Sequence, residues 1–393
     1  MSKNNKKKSW FGLLLLLTVV GLICAHIFVP PYLEKSMNRV YPSSAPVISD
    51  TIIDFHQSLT VMDWHSDTTL WSRDLLQRGS FGHVDIPRML EGNMAIQMFT
   101  VVTKVPKGLN YSANSADATD QITQLAMVQA WPLPTWSSLL ERALYQADRI
   151  NKAAIESPNF YLIKSRGDLE LFLSWRSQGI PVVGGLIGTE GGHPVEGSTL
   201  NVRKLFDAGF RMISLHHFFD NRLGGSLHGL SGDGLSDFGV AMVKEIERQQ
   251  MILDISHSSP AVVEQVLELT TRPVVVSHTG LYGHCPRKRN ISDDLMLEIA
   301  ARGGIIAIGF WEEAVCGRTV DDIASAIRYA VDLLGIDHVA LGSDFDGAVT
   351  TPIDVSQMAQ LTDALFRTGM SRREIAQVMG SNSVEFLRRY LPQ

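Results

Sequence analysis

Two side chains that can bind a metal ion stand at the end of one apolar run near the start of the chain. Residues 61–65 predict a buried strand, and His65-Ser66-Asp67 closes it. Alternate residues of a strand share a face, so His65 and Asp67 point the same way. Imidazole and carboxylate together suit zinc and similar divalent ions. A lone His-x-Asp is more often a solvated strand end, so the interpretation depends on the rest of the chain.

Residues of the same chemical types follow five further apolar runs, and these residues are Glu190, His217, His257, His278 and Asp344. In a barrel of parallel strands, the carboxyl ends of all strands lie on one face, where enzymes of this architecture keep their active sites. Each residue alone has a structural explanation, such as a helix N-cap for an aspartate. Their joint placement at six strand ends indicates a metal site.

The set is large enough for two metal ions. His65 and Asp67 can hold one ion, His257 and His278 can hold the other, and Glu190 can bridge them. Two ions at a separation of ~3.5–4 Å clamp a water molecule and give a hydroxide nucleophile near neutral pH.

One aspartate and one histidine of the set remain for other roles. Asp344 can orient the water and accept its proton. His217 can donate a hydrogen bond to the oxyanion that forms on the attacked carbonyl. The sequence contains no G-x-S-x-G motif that would favour a covalent serine mechanism.

A basic turn at residues 285–290 follows the sixth run, at the same predicted rim. Such a turn is commonly a solvated surface. Here one of its arginines can clamp a substrate carboxylate through two hydrogen bonds.

Eight apolar runs predict the strands that must position these residues. The predicted strands are 61–65, 94–102, 182–189, 212–216, 251–256, 273–277, 304–310 and 338–342. Most are continuously apolar, which is typical of parallel strands covered on both faces by helices. Helical patterns lie between most of them, at 139–157, 168–178, 240–249, 259–269, 293–302 and 320–334.

The fold class predicted from this alternation is α/β, as a closed (β/α)8 TIM-like barrel. A doubly wound open sheet is the alternative. Residues 104–158 form an insertion after the second strand and are expected to fold over the barrel mouth. Residues 371–391 predict a capped amphipathic helical region.

The N-terminus is predicted to lie outside the barrel domain. Four lysines within residues 1–9 precede an apolar run at 10–29. Twenty residues at ~1.5 Å each span a bilayer core, and Pro30 and Pro31 are expected to end the helix. The basic flank predicts residues 1–9 in the cytoplasm, a signal-anchor helix at 10–29, and a body on the exported side. A cleaved signal peptide is the alternative.

Residues 30–50 read as a linker, and residues 51–393 form the predicted catalytic barrel. The chain of 393 residues has a formal net charge of -6, so nothing indicates nucleic-acid binding. Cys285 and Cys316 lie in the body, where an oxidising compartment would allow them to pair.

In its motifs the chain resembles the membrane (renal-type) dipeptidases, zinc peptidases of family M19, from about residue 60 to the C-terminus. The motifs are DWHSD at 63–67, GTEGGH at 188–193, LDISHS at 253–258, VVSH at 275–278, RKRN at 287–290 and SDFDG at 343–347. The resemblance implies a (β/α)8-type fold and hydrolysis of dipeptides, including those with a D-residue at the C-terminal side.

Site roles also follow from the resemblance. Two zinc ions are implied, with His65 and Asp67 at one, His257 and His278 at the other, and Glu190 bridging. His217 matches a histidine that polarises the scissile carbonyl, Arg289 matches the arginine that binds the free carboxylate of the dipeptide, and Asp344 matches an aspartate near the bridging water.

Some features depart from the family or extend it. His216 precedes His217 where relatives commonly have threonine, so which histidine faces the substrate is open, although chain register favours His217. The N-terminal anchor differs from the C-terminal lipid anchor of mammalian relatives. Cys285 and Cys316 lie near positions that are disulfide-bonded in those relatives, which favours their pairing. Relatives form dimers, so a homodimer is a further expectation.

Two other functions compete with this interpretation. One is another binuclear metallohydrolase, such as an N-acyl amino acid deacylase or a lactonase. Relatives of that kind often use a bridging lysine, so Glu190 tells against it. The other is a membrane-tethered binding protein without activity. The sequence of such a protein would lack one or more of the metal ligands.

Overall fold

Eight parallel strands close into a barrel in the computed structural model, which describes residues 3–42 and 47–393, with side chains from Trp10 onward. The barrel strands are β1 (Val61–Ser66), β2 (Met94–Val102), β3 (Val183–Glu190), β4 (Phe210–Ser214), β5 (Ile252–Asp254), β6 (Val275–Thr279), β7 (Ile305–Ile308) and β8 (Val339–Leu341). Their order around the barrel is β2-β1-β8-β7-β6-β5-β4-β3, and β3 pairs back with β2. This closure confirms the predicted (β/α)8 barrel and excludes the open sheet.

Helices surround the strands. Their bounds are Lys3–Met37, Asp50–Gln57, Ile86–Glu91, Gln121–Val128, Leu139–Glu156, Arg166–Ser177, Leu200–Asp207, Asp237–Arg248, Pro260–Leu269, Asp293–Ala301, Glu312–Val315, Val320–Leu334, Met358–Arg367, Arg372–Ala376 and Asn382–Tyr390. Short 3-10 turns lie at Thr68–Leu70, Leu133–Trp136, His193–Val195, Ile336–His338 and Val355–Gln357. The six helices predicted between the strands are confirmed, with shifts at their ends.

Several barrel strands end before the apolar run that predicted them. β5 stops at Asp254, two residues before the predicted end, and β4 stops at Ser214 rather than at His216. The backbone leaves the ladder there and turns toward the carboxyl rim. His257 lies in this turn with a φ of 62°, in the left-handed region. Apolar character continues past the strands because these turns are buried as well.

The C-terminal helical region is divided, where the sequence predicted one segment. Ser371 caps the first helix through a capping box with Glu374. A π-helical turn at Gln377–Ser381 then separates the two helices. A Cβ on Gly380 would lie 1.9 Å from the carbonyl oxygen of Thr60, so this close approach beneath β1 requires a glycine.

The N-terminal helix is longer than predicted. It continues through Pro30 and Pro31 to Met37, and it is long and apolar enough over Trp10–Met37 to cross a membrane. Pro30 is buried, and the helix packs against the helix Gln121–Val128 of the insertion, which supports the turns in which proline cannot donate backbone hydrogen bonds. The side chains of residues 3–9, which include the lysines of the predicted basic tail, and linker residues 43–46 lie outside the described residues.

A buried ion-pair network joins this helix to the rim of the barrel. Glu34, which is fully buried, accepts a hydrogen bond from Arg73. Arg73 also donates to the Asp346 carboxylate at 2.8 Å. The strand Arg39–Val40 then pairs in parallel with Thr350–Thr351, just beyond Asp346. Residues 34–40, predicted as part of a linker, are therefore attached to the loop after β8.

We expect Glu34→Ala to destabilise the fold by about 3 kcal/mol, because it removes one carboxylate from a buried network and leaves Arg73 with Asp346 as its remaining hydrogen-bonded carboxylate. Chemical denaturation of the detergent-solubilised protein measures the change. Glu91→Ala is the matched control, since Glu91 forms an exposed pair with Arg78 at 2.8 Å. That substitution should leave the midpoint nearly unchanged. Equal effects of the two substitutions would contradict a structural role for Glu34.

Candidate metal centre

Glu190, at the end of β3, lies at the centre of four histidines from four other strand ends. Its Oε1 atom is 3.5 Å from His65 Nε2, 3.2 Å from His257 Nε2 and 3.4 Å from His278 Nε2. Its Oε2 atom is 3.1 Å from His217 Nε2. All five side chains are buried, so the residues that the sequence placed at separate strand ends meet at one carboxylate.

Two further carboxylates complete the cluster. Asp67 Oδ1 lies 3.5 Å from His65 Nε2 and accepts a hydrogen bond from Thr100 Oγ1 at 2.6 Å. Asp344 joins His65 and Asp67 in a group whose ligand atoms lie within 4.8 Å of one another. The φ of Asp344 is 61°, which turns its side chain back toward the rim from the loop after β8.

A buried polar chain beneath the cluster orients two of the imidazoles. Asp254 accepts a hydrogen bond from the Ser277 hydroxyl at 2.7 Å. The Ser277 oxygen lies 3.0 Å from the Nδ1 atoms of both His65 and His278, and it can accept from both because its own proton points to Asp254. In its neutral form, each ring then carries its proton on Nδ1 and directs a free Nε2 lone pair toward Glu190.

Burial controls the protonation of most of the cluster. It raises the pKa of Glu190 well above its ordinary value, with the nearby Asp67 adding to the effect. It raises the pKa of Asp344 to about 8. It lowers the pKa of His217 to about 4, and the pKa values of His257 and His278 fall well below the ordinary range.

His65 behaves differently because two carboxylates outweigh its burial. Burial disfavours its charged form, but Asp67 and Glu190 raise its pKa to about 10. The cluster therefore attracts positive charge to His65 while its other histidines stay neutral. Neutral imidazoles beside buried carboxylates are the ligand set that a divalent cation stabilises.

The donor atoms fit a metal centre. His65 Nε2 is buried and has no hydrogen-bond partner among residues 3–42 and 47–393. His257 Nε2 and His278 Nε2 lie only 3.0 Å apart, and both face the same oxygen of Glu190. Nitrogen and oxygen ligands in this arrangement suit zinc-type ions.

The structure does not divide the ligands as the sequence did. The three groups able to hold an ion are His65 with Glu190 and His278, Glu190 with His217 and His257, and His65 with Asp67 and Asp344. They share residues, so all the predicted ligands are brought together without being assigned to separate ions.

His217, and not His216, faces the centre. His217 Nε2 contacts Glu190, whereas His216 Nδ1 lies 3.1 Å from Ser258 Oγ. Successive residues point in opposite directions as the chain leaves β4, so only one of the pair reaches Glu190.

Arg289 is buried beside the same cluster. Its Nη2 donates to the carbonyl oxygen of His278 at 2.9 Å, and its guanidinium lies 5.3 Å from the centre of the Trp311 ring. Its Nη1 has no hydrogen-bond partner within the part of the chain that the structure describes. Cys285 and Cys316 form a disulfide that joins the arginine's loop to the loop after β7.

A cavity of about 510 Å³ lies over the cluster. Its polar floor contains Glu190 and Arg289. Its upper wall is apolar and includes Ile122 and Leu125, so part of the predicted insertion folds over the mouth.

Sequence reasoning missed the aromatic residues of this cavity. Tyr111, Phe218 and Trp311 line it. Phe218 stacks on the buried His228 with ring centres 4.8 Å apart. These residues lie in irregular loops whose sequence has no periodicity, so only the adjacency of Phe218 to His217 offered a signal.

Comparisons with known proteins agree with this geometry. The chain is 29% identical over 350 residues to "Dipeptidase aclJ" of Aspergillus oryzae, which covers 83% of the chain and 76% of the relative. The probable dipeptidase PvdM from Pseudomonas aeruginosa superposes with a TM-score of 0.71 at 18% identity, over 87% of this chain and 98% of that one.

A metallo peptidase from Rhodobacter sphaeroides, liganded with a phosphinate mimic of the dipeptide L-Ala-D-Ala, superposes with a TM-score of 0.66 at 22% identity, over 84% of this chain and 99% of that one. The sequence profile of the membrane dipeptidases matches residues 49–390. The chain therefore belongs to the membrane dipeptidase family, peptidase family M19, and is a metallodipeptidase.

Proposed function

We propose that this protein hydrolyses dipeptides, including those with a C-terminal D-residue, with two zinc ions and without a covalent intermediate. The observation that carries the proposal is the convergence of four imidazoles on Glu190, beside a buried arginine with a free donor. The solved Rhodobacter sphaeroides relative that holds a mimic of L-Ala-D-Ala supports the D-residue.

The ligands of the two ions are assigned from the motifs and the distances together. His65 and Asp67 would hold one zinc ion, His257 and His278 the other, and Glu190 would bridge. When bound, such a pair of ions activates a water molecule and polarises the scissile carbonyl.

Asp344 serves as the proton acceptor. Burial raises its pKa to about 8, which would keep most of the carboxyl group protonated near pH 7, so this role requires bound cations, whose charge favours the carboxylate. Its position beside His65 and Asp67 places it at the edge of the ligand cluster, where it can orient the attacking water.

His217 stabilises the oxyanion. Burial lowers its pKa to about 4, so the ring is neutral near pH 7. In the tautomer that carries its proton on Nε2, the ring can donate from this atom, 3.1 Å from Glu190, to an oxygen that develops negative charge next to that carboxylate.

Arg289 binds the free carboxylate of the dipeptide. Its charge lies at the floor of the cavity, and Nη1 is available for the substrate. A carboxylate held there fixes the scissile amide relative to Glu190, and a chain that continues past this residue would collide with the buried floor. The clamp therefore favours substrates that end at this carboxylate.

Residues 10–29 of the N-terminal helix are proposed as the membrane anchor, with residues 1–9 in the cytoplasm and residues 51–393 on the exported side. The exposed apolar surface of the helix supports an anchor. The disulfide between Cys285 and Cys316 supports an oxidising compartment. A homodimer stays a prediction.

Removal of metal should abolish hydrolysis of L,L and L,D dipeptides and lower the thermal midpoint. The carboxylates lose their compensating charge, and loss of a ligand present at ~100 times its Kd removes about 2.7 kcal/mol of stability, or roughly 4 °C in a domain of this size. The protein is dialysed against a chelator, and then zinc or magnesium is added back. Dipeptide hydrolysis and the calorimetric midpoint are measured at each step. Full activity on N-acyl amino acids with none on dipeptides would favour the deacylase alternative.

We expect Ser277→Ala to weaken zinc binding by about 10- to 100-fold, because the two imidazoles lose the oxygen that fixes their tautomers. Competition with a chromophoric chelator measures the affinity. Ser258→Ala is the matched control, since Ser258 is equally buried but contacts His216, which faces away from Glu190. The same loss in both variants would refute this role for Ser277.

Arg289→Ala should raise KM for dipeptides by about 10- to 100-fold, because a hydrogen bond to a charged group contributes about 1.5–3 kcal/mol. The zinc content should be unchanged. Arg287→Ala is the matched control in the same turn. The Arg287 side chain is half-exposed and lies 3.6 Å from Glu313, so its removal should leave KM unaltered. Normal dipeptide kinetics in Arg289→Ala would show that the carboxylate binds elsewhere.

A further inference from the structure

The N-terminal helix forms part of the wall of the metal-centre cavity. Val29, Leu33 and Met37 all line this cavity. They are spaced by four residues, so they lie on one face of the helix. The helix therefore reaches the cavity with a continuous apolar stripe, in addition to its attachment to the rim through Glu34.

The stripe faces a second apolar surface across the cavity. Leu125 and Val128 of the helix Gln121–Val128 line the same space. The helices Lys3–Met37 and Gln121–Val128 also pack directly against each other. Leu33 also packs against the buried cluster that contains Trp71 and Ile122. The wall is thus held in place by several contacts.

The apolar wall and Arg289 lie on opposite sides of the barrel. Trp71 follows β1 and Val102 ends β2, and both belong to the cluster that supports the wall. Arg289 is bound to His278 in β6, which is four strands away from β2 in either direction around the barrel. A substrate with its carboxylate at Arg289 and its amide at Glu190 therefore directs its amino-side group toward the wall.

We propose that Leu33, together with Val29 and Met37, forms a specificity-determining subsite for a large apolar side chain on the amino-side residue of the dipeptide. This inference rests on the proposed function, because it uses Arg289 to orient the substrate. The cavity of about 510 Å³ falls in the range of ~300–1,000 Å³ that holds drug-sized ligands, so it has room beyond a dipeptide of two small residues.

The test uses the full-length protein in detergent and a series of dipeptides that share a C-terminal alanine and begin with glycine, alanine, leucine or phenylalanine. We expect kcat/KM to rise by about tenfold or more from the glycine to the phenylalanine dipeptide, since apolar pockets discriminate by about 10- to 200-fold. Leu33→Ser should reduce this phenylalanine-to-glycine ratio at least threefold. Tyr32→Ser is the matched control, because Tyr32 is 72% exposed on the same helix and does not line the cavity.

A second variant separates loss of the wall from loss of folding. Leu33→Phe keeps the helix apolar but fills the cavity, so the phenylalanine dipeptide should lose more kcat/KM than the glycine dipeptide. The inference is overturned if the ratio in either Leu33 variant equals that of the unmodified protein, or if the series shows no preference for apolar residues. Failure to cleave any of the dipeptides would instead refute the proposed function.

Discussion

Burial of several carboxylates in one place is the constraint on which the site depends. Asp67, Glu190 and Asp344 lie in the interior at the carboxyl rim of the barrel, where water cannot stabilise their charges. The raised pKa values of Glu190 and Asp344 express this penalty. Burial keeps the other imidazoles of the cluster neutral, so they offer lone pairs but no positive charge that could compensate the carboxylates. His65 is the exception, because its pKa is raised. Divalent cations would stabilise such a cluster, and the hydrogen bonds of Asp254 and Ser277 beneath it orient His65 and His278 for binding them.

The N-terminal helix, a candidate membrane anchor, also belongs to this arrangement. Its last turns insert Glu34 into the ion-pair network of Arg73 and Asp346, two residues from Asp344. The same turns present Leu33 to the cavity. Attachment of a catalytic domain to a bilayer usually needs only a linker. Here the connecting segment is packed and hydrogen-bonded, so it contributes to the geometry of the rim and to the shape of the space above the metal centre.

Much of the fold could be predicted because barrel strands are covered on both faces. Such strands are continuous apolar runs, and the eight runs with helical patterns between them lead to a (β/α)8 barrel. The misplaced boundaries have local causes. The turns after β4 and β5 are buried, so they are as apolar as the strands before them. The prolines at 30 and 31 are poor helix residues in isolation, but packing of the helix on Gln121–Val128 and the ion pair of Glu34 with Arg73 outweigh that preference. Gly380 divides the C-terminal helical region because of a backbone more than 300 positions away.

The sequence by itself determined which residue types follow each strand, because a strand end and its neighbours are local features of the chain. It therefore predicted the ligand set and Arg289, and it indicated the family. Only the tertiary structure decided that His217 rather than His216 reaches Glu190, that Arg289 is buried with a free donor, and that Tyr111, Phe218 and the N-terminal helix enclose the cavity. These facts depend on closure of the barrel, which brings together side chains that are distant along the chain and whose directions no local pattern specifies.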